Sequence, residues 1–172
     1  MPPAYLSPRS GGGAERRTGV AAGVNEAPAR GTGYLTFQVG AQQFALDISK
    51  VQEIRGYAPL TPLPGTPSSL PGVMNLRGTV VPVMDVRRRL GMQGREYDRF
   101  SVIVVATKGS QTVGLLVEAV SDVVSIARAD ANPVPPEGGG APVEAVALVG
   151  DRVLTVLDLE KLWRDNGDEL AA

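Results

Sequence analysis

Four carboxylates recur at equivalent places in this chain of 172 residues: Asp47 in LDI, Asp85 in MDV, Glu118 in VEA and Asp158 in LDL. Paired acids are the usual equipment of general acid–base catalysis. Here, however, each ends an apolar run, and an aspartate in that place accepts the backbone N–H bonds that a first helical turn leaves open. Four such positions on four separate segments read as structural caps, not as one convergent site. A hydrolase built on Asp85 or Asp158 is a distant third among the functional readings. The chain contains no histidine and no cysteine. That removes the commonest general base and metal ligand, the acceptor of histidine phosphorelays, the thiolate nucleophile and any disulfide framework. No catalytic residue, metal ligand or cofactor is assigned.

A phosphate cradle needs a Gly-rich turn between a strand and a helix. GSQTVG and GGGAP contain no GK[ST], and the turn glycines lead into strands. Arg87, Arg88 and Arg89, with Arg95 and Arg99 nearby, form a basic cluster that suits phosphates. The aromatic interleaving of a single-strand binder is missing, and the cluster equally describes the wet side of a short helix whose cations suit the C-terminal dipole. A nucleic-acid-binding small β-barrel is therefore kept as the alternative reading. Arg77 is of another kind. It stands between apolar Leu76 and turn residue Gly78, at the end of an apolar strand, so its guanidinium is offered from a rigid platform to a partner carboxylate or carbonyl, or pairs with an internal acid. In VQEIRGY, alternation puts Val51, Glu53 and Arg55 on one face and Gln52 and Ile54 on the other. Such a strand suits a partner or an ordinary solvent face.

Hairpins must position these residues. Leu35, Phe37 and Val39 alternate with Thr36 and Gln38, and Gly40-Ala41-Gln42 supplies a turn before Phe44 and Leu46. The plan recurs at 75–84 with Gly78-Thr79 as the turn, at 101–117 with Lys108-Gly109-Ser110, and at 145–157 with Gly150-Asp151. Val51 to Tyr57 and Val120 to Ile126 add β-branched runs, for nine or ten strands in all. Short helical turns are expected after Asp47, Asp85 and Asp158, with Gly91 and Gly167 as left-handed caps of the last two. Four hairpins of one build imply two related β-barrels or one pseudo-repeated β-fold.

Residues 1–32 are rich in Gly, Ala, Pro and Arg without an apolar period and read as a disordered tail; 167–172 form a short C-terminal tail. Five prolines between Pro59 and Pro71 stiffen one loop, where Thr66 and Pro67 start a single helical turn. Asn132 to Pro142 reads as a flexible connector. A hydrophobic content of 43% with 20% charged residues is enough for a core without a metal or disulfide. A net charge of −1 gives no field to draw the molecule onto nucleic acid or an anionic membrane. The N-terminus has no apolar signal region and no later segment approaches the roughly 20 apolar residues of a span, so a soluble, cytoplasmic protein is expected.

VQEIRGY, PGVMNLRGTVVPVMDVR, VGLLVEAVSDVVSI and VGDRVLTVLDLEKL together resemble the CheW family, the adaptors that couple bacterial chemoreceptors to the histidine kinase CheA. The resemblance spans about Tyr34 to Trp163. It implies a mainly β fold of two SH3-like five-stranded β-barrel subdomains with short capping helices over residues 33–166, no catalytic activity and no cofactor. It also implies a location at chemoreceptor arrays. Val51, Gly72, Arg77, Val120 and Val123 match the receptor-facing group, which would grip the cytoplasmic tip of methyl-accepting chemoreceptors. Glu53 and Ile54 match a kinase-facing edge for the regulatory domain of CheA. Other CheW-like proteins are further implied partners. The expected function is a non-enzymatic chemotaxis adaptor in a two-component signalling complex.

Overall fold

The computed structural model describes residues 32–135 and 140–167, and alternating apolar and polar residues commit about half of those to eleven strands. The sequence of elements is β1 (Thr32–Val39), β2 (Gln42–Asp47), a 3-10 turn (Ile48–Lys50), β3 (Val51–Gly56), β4 (Gly72–Leu76), β5 (Thr79–Asp85) and α1 (Val86–Arg89). It continues with β6 (Val102–Lys108), β7 (Gln111–Val117), β8 (Ala119–Ile126), a 3-10 turn (Arg128–Asp130), β9 (Ala131–Pro133), β10 (Val143–Val149), β11 (Arg152–Leu157) and α2 (Leu159–Gly167). All four expected hairpins form. The second turn is Arg77-Gly78 and not Gly78-Thr79, because Thr79 already pairs with Leu76.

The eleventh strand is β9, cut from the segment read as a connector. It pairs with β10 through Ala131 to Pro133 and tolerates a proline because it is an edge. Residues 136–139 of that connector lie outside the described residues, as do 1–31 of the expected N-terminal tail and 168–172 of the C-terminal one. Thr32 belongs to β1 and Gly167 to α2 as its last helical residue, so neither falls beyond its element. The turn expected at Thr66-Pro67 closes with a Leu70 N–H to Pro67 carbonyl bond and does not become a helix.

Two sheets result, ordered β8-β1-β2-β11-β10-β9 and β3-β6-β7-β5-β4. Apart from β9 they have one plan. Each centres on a hairpin (β1–β2 or β6–β7), carries an antiparallel edge strand beside its first member (β8 or β3), and a second hairpin whose last strand runs parallel to its second member (β11 with β2, β5 with β7). The internal repeat is therefore exchanged. The first half of the chain gives its opening hairpin to one sheet and β3, β4 and β5 to the other, and the second half does the reverse. Neither sheet is complete without both halves.

Three apolar clusters follow. Ala45, Ile126, Ala145, Ala147, Leu154 and Val156 fill the first sheet, while Leu76, Val81, Val83, Ile103, Val105 and Leu116 fill the second. The largest lies between them, where Phe37, Phe44 and Leu46 meet Met84, Val104 and Leu115, and α2 adds Leu159, Leu162 and Trp163. Burying the Trp163 side chain completely, at 0% exposure, is worth several kcal/mol, about 3–5 if lost to alanine. Three of the four repeated carboxylates are caps: Asp47 accepts from the Ser49 N–H, Asp85 from that of Arg88 and Asp158 from that of Lys161. Glu118 is not, since β8 and not a helix follows it.

Candidate functional site

β3 and β8 hold equivalent edge positions, and each contains a bulge, the one extra residue that bends a strand and resets which face its side chains take. In β3, Val51 stands opposite Ala106 and Glu53 opposite the very next residue, Val105. Opposed residues share a face. Val51 and Ile54, opposite Ala106 and Val104, therefore turn toward the inter-sheet core, and Glu53 and Arg55, opposite Val105 and Ile103, toward the interior of their own sheet. This corrects the alternation expected from sequence, which grouped Val51 with Glu53 and set Ile54 apart. The extra residue, Gln52, is what breaks the parity.

In β8, Val123 opposes Leu35 and Val120 opposes Phe37, so two residues, Ser121 and Asp122, stand against Thr36 alone. Regular alternation would send Val120 and Val123 to opposite faces. The bulge puts both beside the inter-sheet core, Val120 packed against its margin as Val51 is. Ile54 and Val123 continue outward from that margin at 47% and 46% exposure. The structure thus brings Val51, Val120, Val123 and Ile54 to one core. Three of these were expected to face the receptor and the fourth the kinase.

Arg77 joins the same two groups from the other side. Its Nη2 donates to Glu53 Oε2 at 2.7 Å, with Arg55 Nη1 3.6 Å from Oε1. The arginine is a turn residue and not a strand end, and its φ is +51°. With Gly78 at +85° this two-residue turn meets the demand for two positive φ values that mirror-image hairpin turns make. Arginine is ill suited to that conformation, while glycine is at ease in it. The side chain stays 73% exposed, so it is paired without being enclosed. Gly72 has a backbone role: a Cβ there would lie 2.3 Å from the Thr61 carbonyl oxygen, where Thr61 and Val73 exchange two hydrogen bonds of 2.9 Å.

Sequence reasoning missed a second ion pair, the counterpart of Glu53–Arg77. Arg152, the first residue of β11, sends Nη1 to Asp122 Oδ2 at 3.0 Å and Nη2 to Oδ1 at 3.2 Å, while its Nε donates to Gln43 Oε1 at 2.9 Å. The buried Thr36 hydroxyl hydrogen-bonds the Asp122 carboxylate and accepts from the Asp122 N–H at 3.2 Å. Hydrogen bonding from Arg152 above all holds the Asp122 carboxyl below the usual carboxylate range, with Thr36 assisting, against the upward push of desolvation. The signal was present: Asp122 follows Val120 by two residues in VSD, as Glu53 follows Val51 in VQE.

The basic cluster is largely occupied. Arg87 bonds Glu118 and the Gln93 carbonyl, Arg88 reaches Asp85 at 3.1 Å, and Arg89 caps the carbonyls of Leu162 and Lys161. Arg95 lies 3.7 Å from Glu118 and 3.8 Å from Asp98, and Arg99 sits 4.8 Å over the Phe100 ring. Engaged with neighbours of the same chain, the cluster lends the nucleic-acid reading no support. Asp85 is 1% exposed and also accepts from the Tyr97 hydroxyl. Burial first, and that carboxylate second, raise the Tyr97 phenol far above its ordinary range.

Several of its arginines are held by acids of the same chain, and each of the two bulged edge strands leaves one apolar side chain open, Ile54 and Val123; this is the build of a scaffold protein, which holds others in place. Its family follows from comparison: a family model described as a CheW-like domain matches residues 33–166, and the chain belongs to the CheW family of chemotaxis adaptors. It is 38% identical over 135 residues to the chemotaxis protein CheW of Klebsiella aerogenes, covering 77% of this chain and 81% of that one. With CheW of Rhizobium meliloti the identity is 37% over 140 residues, covering 80% and 90%. The crystal structure of the scaffolding protein TtCheW from Thermoanaerobacter tengcongensis is similar at a TM-score of 0.74 and 31% identity, over 80% of this chain and 95% of that one. No helix among the described residues is long and apolar enough to cross a membrane.

Proposed function

We propose that this protein is a non-catalytic adaptor that couples methyl-accepting chemoreceptors to a CheA-type histidine kinase in cytoplasmic receptor arrays, with residues 33–166 as the working unit. The observation that carries this reading is the pair of bulged edge strands. Val51 and Val120 seal the margin of the inter-sheet core, and Ile54 and Val123 extend that apolar surface into solvent. Covering the exposed half of each of those two side chains supplies about 1 kcal/mol. The receptor tip takes Val51, Gly72, Arg77, Val120 and Val123, and the kinase regulatory domain takes Glu53 and Ile54. CheW-like proteins are further partners. The lack of catalysis is consistent with Asp85, which is buried and already holds the Arg88 and Tyr97 donors.

Co-sedimentation with receptor-bearing vesicles and CheA tests this. The wild-type chain should bring all three components down together. Val123→Asp should lose the receptor and keep the kinase, and Ile54→Asp the reverse. If both variants assemble as the wild type does, these residues do not form the contacts.

A further inference from the structure

We propose that Thr36, Asp122 and Arg152 form a positioning cluster that fixes the bulge of β8 and thereby holds Val120 and Val123 on one face. The inference rests on the docking role proposed for those two valines. A bulge leaves backbone groups without ladder partners, and here the Thr36 side chain serves one of them, the Asp122 N–H. The Thr36 hydroxyl, on a residue that is 0% exposed, stands opposite the two residues Ser121 and Asp122, accepts from the Asp122 N–H at 3.2 Å and lies 3.1 Å from the Asp122 carbonyl oxygen. Arg152 then grips the Asp122 carboxylate with both Nη atoms and reaches Thr36 Oγ1 at 3.3 Å. Its Nε is anchored on Gln43 of β2. The cluster ties β8 to β1, β2 and β11, the strands that lie beside it and across its sheet.

The equivalent place in the other sheet shows what this adds. Val105 stands opposite Glu53 and has no hydroxyl to offer the bulge, and Arg77, the arginine that holds Glu53, is 73% exposed against 29% for Arg152. Bidentate pairing fixes a carboxylate in direction as well as distance. One docking strand is therefore held by a three-residue network anchored on the buried Thr36, and its counterpart by two arginines of which the nearer, Arg77, is 73% exposed. If β8 lost its extra residue at this point, Val120 and Val123 would part to opposite faces, and the apolar surface would lose one of its two members.

The test compares Thr36→Val, Asp122→Asn, Arg152→Gln and Arg152→Lys with Val123→Asp in the full chain. Three quantities are read: amide exchange across residues 119–126, affinity for receptor-bearing vesicles, and affinity for CheA. Thr36→Val and Arg152→Gln should speed exchange in β8 and weaken receptor binding on the order of tenfold, the cost of a lost charge-assisted bond, with CheA affinity within about twofold of wild type. Arg152→Lys, which keeps the charge, should recover part of the loss. The proposal is overturned if Thr36→Val and Arg152→Gln leave β8 exchange unchanged, or if receptor and CheA affinities fall together. Should Val123→Asp itself leave receptor binding intact, the docking assignment fails, and the exchange data alone decide whether the cluster fixes the bulge.

Discussion

Replacing Arg77 with asparagine should make this protein more stable and a poorer adaptor. Arg77 holds φ at +51° in a two-residue turn followed by Gly78 at +85°, and for a residue other than glycine that region costs about 1–2 kcal/mol. Asparagine tolerates it far better, and Asn-Gly is the preferred pair for such a turn. Against this relief stands the ion pair to Glu53, 2.7 Å long but with its arginine 73% exposed, which places it in the range of about 0–1 kcal/mol. Glu53 keeps the charge of Arg55, 3.6 Å from its other oxygen, although that buried oxygen has no hydrogen-bond partner. The balance favours Arg77→Asn by about 0.5–1 kcal/mol, or a melting temperature higher by about 1–4 °C for a chain of this size. Thermal denaturation followed by the fluorescence of Trp163 measures this, and vesicle co-sedimentation measures receptor capture, which should fall. A melting temperature lowered by more than about 2 °C would refute the reasoning, since it would make the ion pair a support of the fold.

Gly72→Ala pushes a Cβ against the Thr61 backbone, at 2.3 Å from its oxygen and 2.8 Å from its carbonyl carbon. Breaking the Thr61–Val73 bridge should cost about 2–4 kcal/mol in urea unfolding, and a cost under about 1 kcal/mol would show that the loop yields freely. The folded-state pKa of Asp122 lies below its ordinary 3.8, so its pairing adds stability above that value and loses it as pH falls through the lower folded one. Arg152→Gln removes the chief cause of the depression. The acid-unfolding midpoint should then move upward, modestly because Asp122 is half exposed; an unmoved midpoint would count against the linkage. The exchanged repeat predicts that residues 32–100 and 101–167 made separately show no cooperative melt, whereas mixed they recover strand signal and a melt. Either fragment melting cooperatively alone would contradict the interdependence of the sheets.

Local chemistry made the hairpins legible. Glycines between alternating runs marked all four turns to within a residue, and aspartates before VRRR and LEKL marked the starts of both α-helices, because turns and caps are decided by a few neighbouring residues. The repeat of acid-terminated strands was visible for the same reason. Strand parity was not, because a bulge is fixed by the opposing strand: nothing within VQEIRG or VSDVVS tells which residue is extra until Val105 or Thr36 stands across from it.

The sequence by itself determined that this would be a β-rich chain without the side chains that most catalysis needs, with Val51, Glu53, Ile54, Arg77, Val120 and Val123 as the residues to watch. Only the tertiary structure decided their grouping. It exchanged strands between the halves of the chain, turned Ile54 toward the core that Val51 borders, set Arg77 on Glu53, and recruited Thr36 and Arg152, 86 and 30 residues away from Asp122, to hold one bulge. Contacts at that separation are chosen by which faces must be buried together, and that choice is made by the fold as a whole.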